Sequence, residues 1–202
     1  MRRTDCDAQR LAAGCGKPGV GMGILIAGLV LWWVAHLFKR VAPGRRAALG
    51  AAGQGVVAVA VLASVVLMVL GYRAAEYVPL WRLPPFVVHI NNLLMFFAFY
   101  LYAVSGMKTW LATKLRHPQL TAVMIWAVAH LLVNGDVASV VLFGGILIWG
   151  AVSVMVINRA VPEWVPPQKA PASREVMAIV GTIVVVGVVM GIHNWLGVQP
   201  WG

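Results

Sequence analysis

Six stretches of this chain are apolar for long enough to leave few choices of architecture: residues 23–38, 55–72, 86–107, 120–133, 137–156 and 176–196. A helix crosses the hydrocarbon core of a bilayer in roughly 20 apolar residues. Inside lipid the backbone has no water to bond, and a helix satisfies its own N–H and C=O groups within one segment. The expected fold is therefore all-α, a polytopic transmembrane helical bundle of six spans. Of the 202 residues, 11% are charged, against about 25% in soluble domains. The longest polar connection, residues 158–175, is too short to hold a soluble domain.

The fourth stretch reaches spanning length only if it runs from near His117 to near Asn134. Pro118 suits the first turn of a helix, where its missing N–H costs nothing. Gly135 is expected to supply the left-handed residue that ends this helix, and Asp136 to cap the next. Spans four and five should thus form a tight helical hairpin. Pro162, Pro166, Pro167 and Pro171 make the fifth connection a stiff, extended linker. Gly53-Gln54-Gly55 and Gly144-Gly145 fit close helix packing better than phosphate loops. No internal repeat is visible, which argues against a transporter built from inverted halves.

The formal net charge is +10. The basic residues sit mostly at span ends, where they set orientation and meet anionic headgroups, so the expected partner is the lipid bilayer and not nucleic acid. The first connection carries Lys39, Arg40, Arg45 and Arg46, the third Lys108, Lys114 and Arg116, and the fifth Arg159, Lys169 and Arg174. The second has only Arg73 and Arg82. The odd connections are expected to be cytoplasmic. Residues 1–21, with Arg2, Arg3, Arg10 and Lys17, oppose that orientation. We expect Met22 to be the initiator, with 1–21 a polar extension from a misplaced start and 22–202 a single transmembrane domain. Cys6 and Cys15 lie in the extension, so no disulfide framework is expected in the membrane part.

Chemistry at membrane depth rests on the histidines. Glu76 and Asp136 fall in connections, so a proton pump is poorly supported, and Ser64, Ser105, Ser139 and Ser153 have no nucleophile motif around them. An imidazole in hydrocarbon needs a partner, and neutral imidazole is the commonest metal ligand. His130 is the strongest candidate, because Trp126, His130 and Asn134 share one helix face at four-residue spacing. The plainer reading is a structural histidine bonded across helices, and on residues alone the two weigh equally. His36, beside Trp32 and Trp33, reads on residues alone as an interfacial histidine. His117 reads as a headgroup-level residue. His89, with Asn91 and Asn92, and His193 lie near the external ends of their spans. At ~1.5 Å per residue, His36 lies roughly 20 Å from the external end and His130 roughly 6–10 Å. Depth alone therefore pairs His130 with His89 or His193, and helix tilt absorbs part of the gap to His36.

From Met22 to Trp201 the chain resembles the NnrU family of bacterial membrane proteins. The resemblance rests on Gly23-Ile24-Leu25-Ile26-Ala27-Gly28-Leu29 with His36, on Trp81 to His89 with its double proline, and on Arg116-His117-Pro118. It rests most on Trp126-Ala127-Val128-Ala129-His130-Leu131-Leu132, Asn134-Gly135-Asp136 and Leu142-Phe143-Gly144. The family is similar to the plant 15-cis-ζ-carotene isomerase, a membrane enzyme with haem b held by histidines. NnrU proteins are linked to denitrification, through expression or function of the nitrite and nitric oxide reductases. The resemblance implies an inner-membrane protein whose haem b iron is held by His130 and His36. Where the plant enzyme has a cysteine that exchanges with a histidine on iron, this chain has Ala127, which argues against isomerase activity. Three readings remain: a haem b protein serving denitrification or respiratory membrane components, a polyene isomerase, and a cofactor-free assembly factor.

Overall fold

The computed structural model describes residues 19–200. Among these the fold is all-helical: α1 Val20–Val41, α2 Pro43–Ala48, α3 Ala52–Ala74, α4 Val87–Met107, α5 Pro118–Val133, α6 Val137–Ala160 and α7 Ala172–Trp195. Each of the six apolar stretches forms a helix, and most extend a few residues past the hydropathy bounds. Five are long and apolar enough to cross a membrane; α5 is the exception. Its 16 residues span about 24 Å at 1.5 Å each, short of a hydrocarbon core of about 30 Å. Val20 and Gly21, assigned above to the polar extension, are helical; residues 1–18 of that extension lie outside the described residues.

The chain divides into two compact units, residues up to 79 with 136–142, and residues 80–135 with 143 onward. In the first unit α1 packs against α3, and glycine makes the approach possible. A Cβ on Gly71 would lie 2.3 Å from Leu25 N, and one on Gly28 would lie 2.7 Å from Met68 N. One on Gly21 would lie 2.3 Å from the Ala74 carbonyl carbon. Without much hydrophobic force between helices in lipid, such backbone proximity is the main source of association. The glycines singled out from the sequence do less. Gly53 faces the Arg46 side chain and Leu49, while Gly55 and Gly144 meet nothing within 4 Å.

A buried polar chain lies at the end of this unit. Asp136, 2% exposed, accepts the Ser139 N–H through Oδ1 at 3.0 Å and the Ser139 hydroxyl through Oδ2 at 2.6 Å. The expected N-cap is therefore present. Since the serine proton goes to the carboxylate, the Tyr72 hydroxyl donates to Ser139 Oγ, at 2.8 Å. The Val137 N–H donates to Val78 O at 3.0 Å. Asp136→Ala removes the cap and strands Ser139, and should cost about 2 kcal/mol of stability. Tyr72→Phe removes one bond of the chain and should cost about 0.6 kcal/mol. Unfolding both variants in mixed micelles checks the order.

In the second unit α5 and α7 pack on α4, and the Gly145–Ala160 part of α6 packs on α5. Gly150 lets α6 approach the Met124 side chain, where a Cβ would sit 2.8 Å from Cγ. With only three residues joining α5 to α6, this is the tight hairpin read from the sequence. One detail differs. Among the described residues the positive-φ glycines are Gly19, Gly50 and Gly197, so Gly135 is not left-handed. Glycine is required there because a Cβ would fall 2.0 Å from Trp81 O, in the strip where the Leu80 and Trp81 N–H groups donate to Gly135 O.

At the other end of this unit, Lys108 ends α4 with φ 52 and ψ 46. It is the only non-glycine residue with positive φ among those described. A side chain in that conformation costs about 1–2 kcal/mol, which glycine avoids. The extended linker after α6 is tied down here. Arg116 donates to the Val161 and Pro162 carbonyls, and the Ala170 N–H donates to Lys108 O at 3.0 Å.

Candidate functional site

His130 lies in the last turn of α5, where helical spacing stacks it on Trp126. The two rings are 4.8 Å apart, centroid to centroid, and tilted by 45°. Phe143 closes the other side at 4.7 Å and 30°, and itself meets Trp126 edge-on at 5.1 Å. Phe143 belongs to a π turn, Val140–Gly144, inside α6. Such turns carry one extra residue, re-aim side chains and recur at functional sites. The imidazole is thus held between two rings within the second unit.

The hydrogen bond of the ring fixes its chemistry. His130 Nδ1 lies 2.9 Å from Trp126 O. A carbonyl can only accept, so Nδ1 carries the proton and the neutral ring presents its lone pair at Nε2. A backbone carbonyl that accepts from the other nitrogen commonly fixes the tautomer and orientation of metal-bound histidines. Asn134 donates to the His130 backbone carbonyl at 2.9 Å, capping the helix instead of touching the ring as its spacing suggested.

Two other predicted residues share the motif. His193 Nδ1 bonds Val189 O at 2.8 Å, and His36 Nδ1 bonds Trp32 O at 2.9 Å with the Trp32 ring 4.0 Å away. His193 belongs to the same unit as His130. His36 belongs to the first unit. His89, in the first turn of α4, is exposed. His117 is engaged elsewhere, its Nε2–H donating to Asn158 Oδ1 at 2.8 Å, in keeping with a residue at a span end. Among the described residues no three His, Cys, Asp or Glu side chains converge as a metal cluster. His36, His130 and His193 thus share one arrangement, each with Nδ1 tied to the carbonyl four residues before it.

Sequence reasoning missed two partners. Phe143 was visible in a motif, but its contact with His130 depends on the π turn, which no local pattern announces. Ser139 has no nucleophile motif, and its bond to Tyr72 joins residues 67 apart in the chain. Ala127, one turn before His130, is fully buried and offers no sulfur.

These features define a multi-pass helical membrane protein with an aromatic-clamped histidine at one end of a short helix. Residues 24–200 match the family described as NnrU protein, and the chain belongs to that family. No curated protein and no solved structure matches it.

Proposed function

We propose that the protein is an integral inner-membrane haem b protein of the denitrification apparatus, supporting nitrite and nitric oxide reductases through their expression, maturation or electron supply. The observation that carries the haem reading is His130, clamped by Trp126 and Phe143 with Nδ1 given to a carbonyl and Nε2 left as donor to iron. The second ligand is an imidazole of the same kind: His193 shares the unit of His130, and the family resemblance assigns His36. His89 is the remaining candidate. Haem iron at such a site supplies one-electron exchange. The chain's part is to fix the His130 tautomer, orient its ring and keep water from it. The link to denitrification comes from the family resemblance.

In this reading α5 crosses the membrane as the fourth of six spans, with Arg116 and His117 at one interface and Asn134-Gly135 at the other. The Lys- and Arg-rich odd connections are cytoplasmic. The visible spectrum of protein purified from haem-replete cells tests the reading. A Soret band supports it, and its absence favours the cofactor-free assembly factor. Conversion of a poly-cis carotene by the haem-loaded protein would favour the isomerase, despite Ala127. His117→Ala should leave haem content unchanged, as measured by pyridine haemochrome assay, because its imidazole is spent on Asn158.

A further inference from the structure

Apart from Arg82, the cations of the second unit lie where α4 and α6 finish and α5 and α7 begin. Lys108, Lys114, Arg116, Arg159, Lys169 and Arg174 lie there, against Glu163 and Glu175. Arg116 is spent on the two carbonyls of the linker, and Glu175 Oε1 accepts the Trp110 N–H. Three of the others are brought together by the backbone. The Ala170 N–H to Lys108 O bond sets Lys169 beside Lys108. The Glu175 to Trp110 bond holds the start of α7, with Arg174, against the same turn. All three cations are exposed, and no ion pair to any of them is found among the described residues.

Two further observations mark this turn. Lys108 keeps a left-handed backbone that glycine would adopt at lower cost, at a helix end where glycine is the usual choice. Thr109, next to it, is fully buried with its hydroxyl unpartnered. The surroundings are those of a headgroup: Trp110 is 54% exposed, and Val176 and Met177, just beyond Arg174, are 61% and 50% exposed. Tryptophan favours the interface, and apolar residues facing outward below it favour acyl chains.

We propose that Lys108, Lys169 and Arg174 form a binding site for the phosphodiester of an anionic phospholipid, whose chains lie along the first turns of α7. Charge that only sets membrane orientation needs no fixed geometry, whereas this site depends on three cations brought together by the linker. Near an anionic surface each cation contributes about fivefold in affinity.

The test is native mass spectrometry of the full chain in neutral detergent, titrated with phosphatidylglycerol or phosphatidylcholine. The wild type is expected to prefer phosphatidylglycerol. Lys108→Gly relieves the backbone, so the fold survives, and the preference should fall about fivefold. K108Q/K169Q/R174Q should bind the two lipids alike, while K114Q/R159Q should keep the preference. Retention of the preference by the triple variant overturns the proposal, as does its loss in K114Q/R159Q. Inorganic phosphate stabilising the protein against heat as well as phosphatidylglycerol does would equally overturn it.

Discussion

His130→Ala is expected to leave the purified protein without a Soret band while its helical circular dichroism stays unchanged. The imidazole is the one group in the Trp126–Phe143 clamp with a lone pair to offer. On the proposed haem reading its removal takes away the ligand to iron, and no neighbouring side chain would replace it, since Ala127 has no donor and Asn134 is engaged with the helix end. The fold should tolerate the change. The backbone N–H and C=O of residue 130 keep their helical bonds, and the lost Nδ1 contact is to a carbonyl already inside the helix. Phe143→Ala should give a graded result, about 10-fold weaker haem retention, because it frees the ring without removing the ligand. If haem is held as proposed, then of His36→Ala and His193→Ala the variant whose ferric spectrum turns from low spin to high spin would name the second histidine that holds it.

Gly71→Leu should be the most damaging single change outside that site. Its Cβ would fall 2.3 Å from Leu25 N and 2.6 Å from Leu25 Cα, and backbone atoms cannot move aside as a flexible side chain does. The α1–α3 pair must separate. Overpacking of an ordinary core costs about 1–3 kcal/mol, and here most of the packing of α1 against α3 is lost as well. Fluorescence-detected size-exclusion chromatography should show aggregate in place of a symmetric peak. Gly55→Leu, with nothing within 4 Å of its Cβ, should elute as the wild type does.

The helices were legible because lipid permits so few alternatives: an apolar run of spanning length, bounded by Lys, Arg or Pro, has little choice but to be a helix. Asp136 as a cap and Pro118 as a helix start followed from local chemistry. Gly135 was read as the left-handed end of its helix and is not left-handed, since sequence shows that a glycine is present and not whether φ or a neighbouring carbonyl requires it. The same gap explains the packing glycines. Gly28 and Gly71 stand in no doublet or G-x-G, and Gly21 is not set apart from its neighbours Gly19 and Gly23; only the helix pairing shows that these three face a backbone. The histidine faces were half legible: four-residue spacing gave Trp126 beside His130, while Phe143 arrives from the following helix through a π turn. That each of three membrane histidines ties Nδ1 to the carbonyl four residues before it is a rotamer choice, invisible to pattern.

A dithionite-reduced minus air-oxidised difference spectrum of the wild-type protein, purified in mild detergent from haem-replete cells, bears most directly on the haem assignment. The expected result is the sharp α band and shifted Soret maximum of a six-coordinate b-type haem. A flat difference spectrum from well-folded protein would contradict it, and would leave His130 as a hydrogen-bonded ring in a helix bundle.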